Sequence, residues 1–111
     1  MPLISIETNQ PLDNQEVLES ISAKTAELLG KPESYVMVKY RQNNTMLFAG
    51  NEQPLAHVKL KSLGLPEEQT AHYSEKICEL IQEYFNVSAA RVYIEFSSPQ
   101  RHLWGWNSTT F

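Results

Sequence analysis

A hydrophobic pattern recurs in this chain at an offset of 56 residues, so the fold must be built from two similar halves. In each half, apolar side chains follow the spacing of one helix face. Gly30 and Asn86 come after these faces at equivalent positions, and both residue types favour the left-handed conformation that ends a helix. The two faces comprise Val17, Ile21, Thr25, Leu28 and Leu29, and then Tyr73, Ile77, Ile81, Tyr84 and Phe85.

Segments rich in β-forming residues flank both predicted helices. Residues 36–40 map onto residues 92–96, and upstream Ile4 maps onto Leu60 and Pro2 onto Val58. Each half, about 2–50 and 55–111, therefore predicts a strand, a helix and a second strand. Asp13 and Glu16 have the spacing of a capping box at the start of the first helix. Between the halves, the run Met46-Leu47-Phe48-Ala49 predicts a further short strand.

The two repeats predict the architecture of a single domain over residues 1–111. Parallel strands joined by a helix of this length form a right-handed crossover unit. Two such units place four strands in one sheet with both helices on a single face, an α/β (α+β) fold. The other face of the sheet must then be covered by something else, and association with further copies is the expected solution.

Charge and composition exclude several classes of protein. The net charge of −4 argues against a nucleic-acid-binding surface. Cys78 is the only cysteine, so no internal disulfide can form, and the three histidines lack the spacing of metal ligands. No apolar run approaches the ~20 residues that span a bilayer, and no signal peptide is recognisable. The expected location is the cytoplasm, with export that needs no signal peptide as an alternative.

Pro2 is the first residue whose chemistry suggests a catalytic role. Removal of Met1 would free its secondary amine, and an α-amino group has an ordinary pKa of ~7.7–8.0. Apolar surroundings at the start of a buried strand disfavour the cation and lower that pKa. A partly neutral amine is suited to act as a general base next to a carbonyl group. Many proteins begin with Met-Pro, so these two residues alone do not decide between catalysis and an ordinary N-terminus.

Several ordered segments of the chain match one known family. They are residues 2–9, 30–36, 62–64, 91–94 and 105–111. With them the chain resembles the macrophage migration inhibitory factor family of the tautomerase superfamily over essentially its whole length. The resemblance implies two β-α-β units per chain and a homotrimer whose sheets line a central barrel, with active sites at the subunit interfaces.

The resemblance also implies roles for individual residues. Pro2 occupies the position of the family's catalytic base. Lys31 matches a lysine that pairs with a substrate carboxylate and stabilises the charge of an enolate. Outside this family context, Lys31 would be an ordinary solvated lysine at a helix end, favoured there by the helix dipole.

Four more positions match residues around the family's pocket. The backbones of Ser62 and Leu63 are expected to border it and to supply shape and a main-chain hydrogen bond. Tyr93 matches a tyrosine that the adjacent subunit contributes, and its alternative role is a half-buried strand aromatic. Trp106 matches a tryptophan that lines the pocket, and its alternative role is packing at an interface.

The chain departs from the family pattern at several positions. Glu95 stands where asparagine is common, at the distal end of the substrate, and Trp104 replaces a smaller aliphatic residue at the mouth of the pocket. We therefore include both among the expected substrate-binding residues. Leu55 and Val58 stand at the positions of the vertebrate Cys-x-x-Cys motif, which excludes thiol–disulfide chemistry through that motif.

These residues support a hypothesis of keto–enol tautomerisation of a phenylpyruvate-like aromatic α-keto acid. Pro2 would move the proton, and neither a metal nor an organic cofactor is required. The alternative is a binding or signalling protein that acts through an unknown protein partner and whose tautomerase pocket is vestigial. Hydration or dehalogenation, as in sister branches, is disfavoured because Arg41, Arg91 and Arg101 do not match the arginines of those branches.

Overall fold

A computed structural model of the chain describes residues 1–111, and it has one strand-helix-strand unit in each half. The first unit consists of β1 (Leu3–Thr8), α1 (Gln15–Leu29) and β2 (Met37–Gln42). The second consists of β3 (Ala56–Lys61), α2 (Thr70–Phe85) and β4 (Val92–Ser97). A small hairpin of β5 (Gly105–Trp106) and β6 (Thr109–Thr110) follows. Neither helix is long and apolar enough to cross a lipid bilayer.

The four long strands form one mixed sheet in the order β2-β1-β3-β4. Strands within each unit are parallel, and β1 and β3 run antiparallel at the centre. Both helices lie on one face of this sheet, because the strand residues buried beneath them alternate along each strand. The predicted α+β fold with a four-stranded sheet is confirmed.

The strand register corrects one detail of the predicted repeat. Leu3 pairs with Met37 in the first unit, and His57 pairs with Tyr93 in the second. Because Tyr93 is the repeat equivalent of Met37, His57 is the equivalent of Leu3. The predicted match of Ile4 with Leu60 is therefore wrong by two residues. The error leaves the buried face unchanged, since side chains alternate between faces with a period of two.

The hydrophobic core lies between the helices and the sheet. Each large aliphatic side chain buried there stabilises the fold by ~1.5–3 kcal/mol. The predicted helix faces are the ones that contribute to it. The fully buried aliphatic members are Ile4, Ile6, Val58 and Leu60 from the strands, Ile21, Ile77 and Ile81 from the helices, and Val87 from the segment after α2.

Both helices end as predicted, but the first helix does not begin as predicted. Gly30 and Asn86 end their helices in the left-handed conformation, with φ values of 62° and 55°. The predicted capping box is wrong, because Asn14 precedes α1 and no side chain caps this helix terminus.

The predicted short strand at residues 46–49 is also wrong. This segment forms a turn with a single bridge between Phe48 and Asn51.

The face of the sheet that points away from the helices, here called the open face, is mostly polar. Its central positions carry Ser5, Lys39 and Lys59. Water can hydrate such side chains, so their composition alone does not demand a dry covering layer. The expected association with further copies stays a prediction. Most of the large exposed apolar side chains lie instead at the two edges of the sheet. They are Tyr35, Met37 and Trp106 near β2, and Leu47 and Tyr93 near β4; Leu103 is exposed in the C-terminal segment.

Candidate active site

Pro2 sits at the entrance to the central strand β1. Its side chain is fully buried, and its carbonyl oxygen accepts a hydrogen bond from the backbone N–H of Met37 at 3.0 Å. This bond extends the β1–β2 ladder back to Pro2 and fixes the start of the chain against the sheet. Met1 still precedes Pro2 here, so the nitrogen of Pro2 is a peptide nitrogen and the free amine belongs to Met1.

Pro2 opens onto a cavity of about 240 Å³ with largely apolar walls. The C-terminal hairpin supplies one wall, where the rings of Trp106 and Phe111 stack with their centroids 5.8 Å apart. Tyr35 meets Trp106 edge-on, with centroids 5.7 Å apart and an angle of 84° between the ring planes. Trp104 completes the aromatic lining. A flat aromatic group would find complementary surfaces in this cavity.

The amino terminus lies in surroundings that disfavour its protonated form. Burial lowers the pKa of the Met1 amine, and the positive charges of Lys31 and Arg101 lower it further. Arg101 is held there by its Nε–H, which donates to the carbonyl oxygen of Phe111 at 3.0 Å. An amine at this end of the chain is therefore more often neutral at neutral pH than an ordinary α-amine.

Lys31, Ser62 and Leu63 meet at a second cavity of about 330 Å³, where the first helix ends close to the loop after β3. The ammonium of Lys31 donates to the carbonyl oxygen of Leu63 at 3.4 Å. The hydroxyl of Ser62 is buried without a hydrogen-bond partner, and its backbone N–H already donates to the carbonyl oxygen of Ser97. The backbone of Ser62 thus has no free N–H to offer a ligand.

Tyr93 and Glu95 lie on β4 and do not line the Pro2 cavity of the same chain. Tyr93 is 68% exposed, and its ring contacts Phe48 at a centroid distance of 4.9 Å. The carboxylate of Glu95 contacts the imidazole of His57 on the adjacent strand. One chain therefore brings Pro2, Trp104 and Trp106 together but leaves Tyr93 and Glu95 at the far edge of its sheet.

Three residues of this region were not expected to line or tune the site. Tyr35 and Phe111 occur within the matched segments, but nothing in their spacing assigned them to the cavity. Arg101 fits no arginine pattern of the sister branches, yet its charge acts on the amine of Met1. The only feature of the sequence that links Arg101 to the cavity is its position three residues before Trp104.

Comparison with known proteins identifies the family of the chain. The profile of the family "Macrophage migration inhibitory factor (MIF)" matches residues 1–111 of the chain. The chain belongs to the MIF family. The resemblance identified from the sequence is thereby confirmed.

Individual relatives span the whole chain. A MIF homologue of Brugia malayi is 35% identical, and the match covers 100% of this chain and 99% of the relative. The MIF of Rattus norvegicus is 31% identical with the same coverage. The crystal structure of a MIF homologue from Prochlorococcus marinus is 41% identical and covers 98% of both chains with a TM-score of 0.91. The chain is thus a MIF-like protein along its full length.

Proposed function

We propose that this MIF-family chain is a tautomerase that interconverts the keto and enol forms of phenylpyruvate-like α-keto acids. The observation that carries the proposal is the site of the amino terminus, next to an aromatic-lined cavity where burial and two cations lower the pKa of an α-amine. Removal of Met1 would expose the amine of Pro2, which lies one residue further along the chain and lines the same cavity. Pro2 then becomes a secondary amine that is partly neutral near pH 7.

The proposed reaction moves one proton from a carbon to an oxygen atom of the same substrate molecule. The neutral amine of Pro2 takes a proton from the carbon between the ring and the keto group. The electron pair of the broken C–H bond forms a carbon–carbon double bond, and the carbonyl oxygen takes the negative charge. The protonated amine then returns its proton to that oxygen, which gives the enol and restores the base. The reverse direction follows the same steps.

Lys31 is proposed to stabilise the charges in this reaction. Its ammonium can pair with the substrate carboxylate and lower the energy of the enolate, a contribution that grows as charge develops. In the free protein its hydrogen bond to the carbonyl oxygen of Leu63 is long, at 3.4 Å, so exchanging it for a carboxylate costs little. The rings of Trp104 and Trp106 would flank the aromatic group of the substrate.

The proposed assembly is a homotrimer with the site between subunits. Tyr93 and Glu95 cannot reach the Pro2 cavity of their own chain, but β4 of a neighbouring copy can bring them to it. The two edges of the sheet carry different apolar patches, Leu47 with Tyr93 on one side and Met37 on the other. Unlike patches of this kind favour head-to-tail contacts, which close into rings.

The test is a tautomerase assay with phenylpyruvate on the wild type and on Pro2→Gly, with folding checked by circular dichroism. We expect turnover in the wild type and a loss of about 100-fold or more in kcat/KM in the folded variant. Equal turnover in both would overturn the assignment of the base.

The alternative function, a binding protein that keeps the pocket, draws support from the mouth of the cavity. The ammonium of Lys61 lies 5.3 Å from the centre of the Trp104 ring, so a cation already occupies one face of a ring that lines the cavity. A correctly trimmed, folded wild type without turnover would favour this alternative.

A further inference from the structure

The aromatic rings that line the Pro2 cavity are not all held in the same way. Trp106 stacks on Phe111 with an angle of 13° between the ring planes, and Tyr35 meets Trp106 edge-on. These rings fix one another, because stacked and edge-on aromatic pairs attract each other. Trp104 lines the same cavity but pairs with no other aromatic ring. Its orientation must therefore depend on a different kind of contact.

The indole of Trp104 is held by a cation from the sheet. The ammonium of Lys61 lies over the ring at 5.3 Å from its centroid, within the ~6 Å range of a cation–π interaction. Two backbone hydrogen bonds anchor the main chain of Trp104, one to the carbonyl oxygen of Arg101 and one from the N–H of Phe111, both at 3.2 Å. These bonds leave the side-chain torsions free, so the contact with Lys61 is what restrains the ring.

Lys61 is placed and free to make this contact. It is the last residue of β3 and pairs with Leu3, which lines the cavity. No carboxylate competes for its ammonium, because the ion pairs of the chain use other basic side chains. These are Lys24, Arg41, His57 and Lys76. Lys61 itself does not line the cavity, so it meets Trp104 from outside and leaves the inner surface of the ring to a ligand.

We propose that Lys61 is a positioning residue that holds Trp104 as a flat wall of the Pro2 cavity and so favours ligands with an aromatic ring. A ring that stacks on Trp104 then meets a surface that is already ordered, and binding does not have to immobilise the indole. The role rests on the proposed function, because it concerns how the aromatic part of the α-keto acid is bound. Since Lys61 acts through Trp104, it takes no part in the proton transfer.

A positioning role predicts a defined kinetic pattern in the variant Lys61→Met. Loss of an ordered wall weakens the ground state and the transition state equally, so KM rises while kcat is kept. We expect the KM for phenylpyruvate to rise about fivefold. Lys61→Arg keeps a cation for the ring and should stay close to the wild type. Lys59→Met is the matched control, because Lys59 is an exposed lysine on the same strand and the same face.

The state of the Trp104 ring can be observed without any substrate. The chain has two tryptophans, so a spectrum of the nitrogen-15-labelled protein shows two indole N–H signals, which the variant Trp104→Phe assigns. We expect Lys61→Met to shift or broaden the signal of Trp104. The signal of Trp106 should stay in place, because Phe111 and Tyr35 hold that ring. Lys61→Arg and Lys59→Met should leave both signals close to their original positions.

A calorimetric titration with trans-cinnamate separates this proposal from the tautomerase assignment. Cinnamate is a flat aromatic carboxylate without a keto group, so its binding requires no turnover. We expect saturable binding in the wild type and in Lys59→Met, and about fivefold weaker binding in Lys61→Met. This pattern supports the role even if the tautomerase assay fails.

Several results would overturn the role of Lys61. They are an unchanged Trp104 signal in Lys61→Met, a fall in kcat at unchanged KM, and wild-type protein that does not bind cinnamate. Equal cinnamate affinity in the wild type and Lys61→Met would do the same. An equal loss of affinity in Lys59→Met would also reject it, because that result would indicate general attraction between lysines and the carboxylate.

Discussion

The ammonium of Lys31 lies 3.4 Å from the carbonyl oxygen of Leu63, and this contact joins the end of the first helix to the loop that follows β3. Gly30 makes the contact geometrically accessible, because its left-handed conformation turns the chain sharply at the helix end. The ammonium thus lies where the two repeats meet, close enough to the amino terminus for its charge to lower the pKa of the Met1 amine.

Replacement of Lys31 should impair catalysis far more than folding. Lys31→Gln removes the charge that stabilises the proposed enolate, and we expect kcat/KM for phenylpyruvate to fall by roughly 10²- to 10³-fold. The thermal unfolding midpoint should change little, since the lysine is only partly buried. Lys24→Gln provides a control of the same type on the helical face. Unchanged kcat/KM in Lys31→Gln would contradict the assigned role.

Arg101 should contribute to the pH dependence of the reaction. Burial and the charge of Lys31 lower the pKa of the amino-terminal amine of Met1, and the positive charge of Arg101 lowers it further. We expect the same charge to act on the amine of Pro2 once Met1 is removed. Arg101→Gln removes this effect, the pKa rises, and the acid limb of the pH profile of kcat/KM should move to higher pH. Arg101→Lys keeps the charge and should leave the limb closer to its original position. A profile that moves to lower pH in Arg101→Gln would refute this assignment.

Tyr93 should act on the site of a neighbouring subunit. Pro2→Gly and Tyr93→Ala are each expected to lose most activity, whereas mixed trimers made by unfolding and refolding the two together should recover part of it. Random mixing gives about a quarter of the sites both native residues. Native mass spectrometry confirms that mixing has occurred. Mixed trimers without recovered activity would show that both residues act within one subunit.

Arg91 should stabilise the turn between the two repeats. Its guanidinium donates to the carbonyl oxygens of Pro54, Asn51 and Gln53 at 2.9–3.2 Å and lies 5.1 Å from the centre of the Phe48 ring. Because Arg91→Gln leaves several of these oxygens without a donor, we expect the free energy of unfolding to fall by ~1–3 kcal/mol.

The measurement for Arg91 is urea denaturation monitored by tryptophan fluorescence. Arg91→Lys is the informative control, since it keeps the charge but lacks the planar set of donors. A loss of stability in Arg91→Lys close to that in Arg91→Gln would support the hydrogen bonds as the cause. Full stability in both variants would show that the turn does not depend on this side chain.

Cys78 should react slowly with thiol reagents in the folded protein. Burial on α2 raises the pKa of its thiol, and the opposing hydrogen bond with Ser74 does not reverse the shift. Since the thiolate is the reactive form, modification by iodoacetamide at pH 8 should be roughly tenfold or more slower than in urea. Equal rates in the two states would mean that the thiol is accessible and unperturbed.

The features that could be predicted from the sequence are those fixed by local spacing. The helix face around Ile77 and Ile81, and the helix ends at Gly30 and Asn86, follow from periodicity and from the few residues that adopt positive φ. Prediction failed where tertiary contacts decide the conformation. Residues 46–49 have strand-forming side chains, but the chain folds there into a turn held by Arg91.

The site was predictable in part for the same reason. Pro2 and Lys31 lie in matched segments at fixed positions. The cation–π contact between Lys61 and Trp104 and the contact between His57 and Glu95 join residues far apart in the chain. The pairing of β3 with β4 brings His57 to Glu95, in a register that differs by two residues from the repeat inferred from the sequence. Trp104 lies outside the strands and reaches Lys61 only through the packing of the C-terminal segment.

The most direct test of the proposed mechanism compares two forms of the same protein that differ only in Met1. Intact mass identifies the trimmed form and a form that retains Met1, prepared by inhibiting methionine removal, and circular dichroism verifies that both are folded. The account predicts phenylpyruvate tautomerase activity in the trimmed form alone, because only there does Pro2 carry a free amine. Equal activity in both forms, or none in the trimmed form, would contradict it.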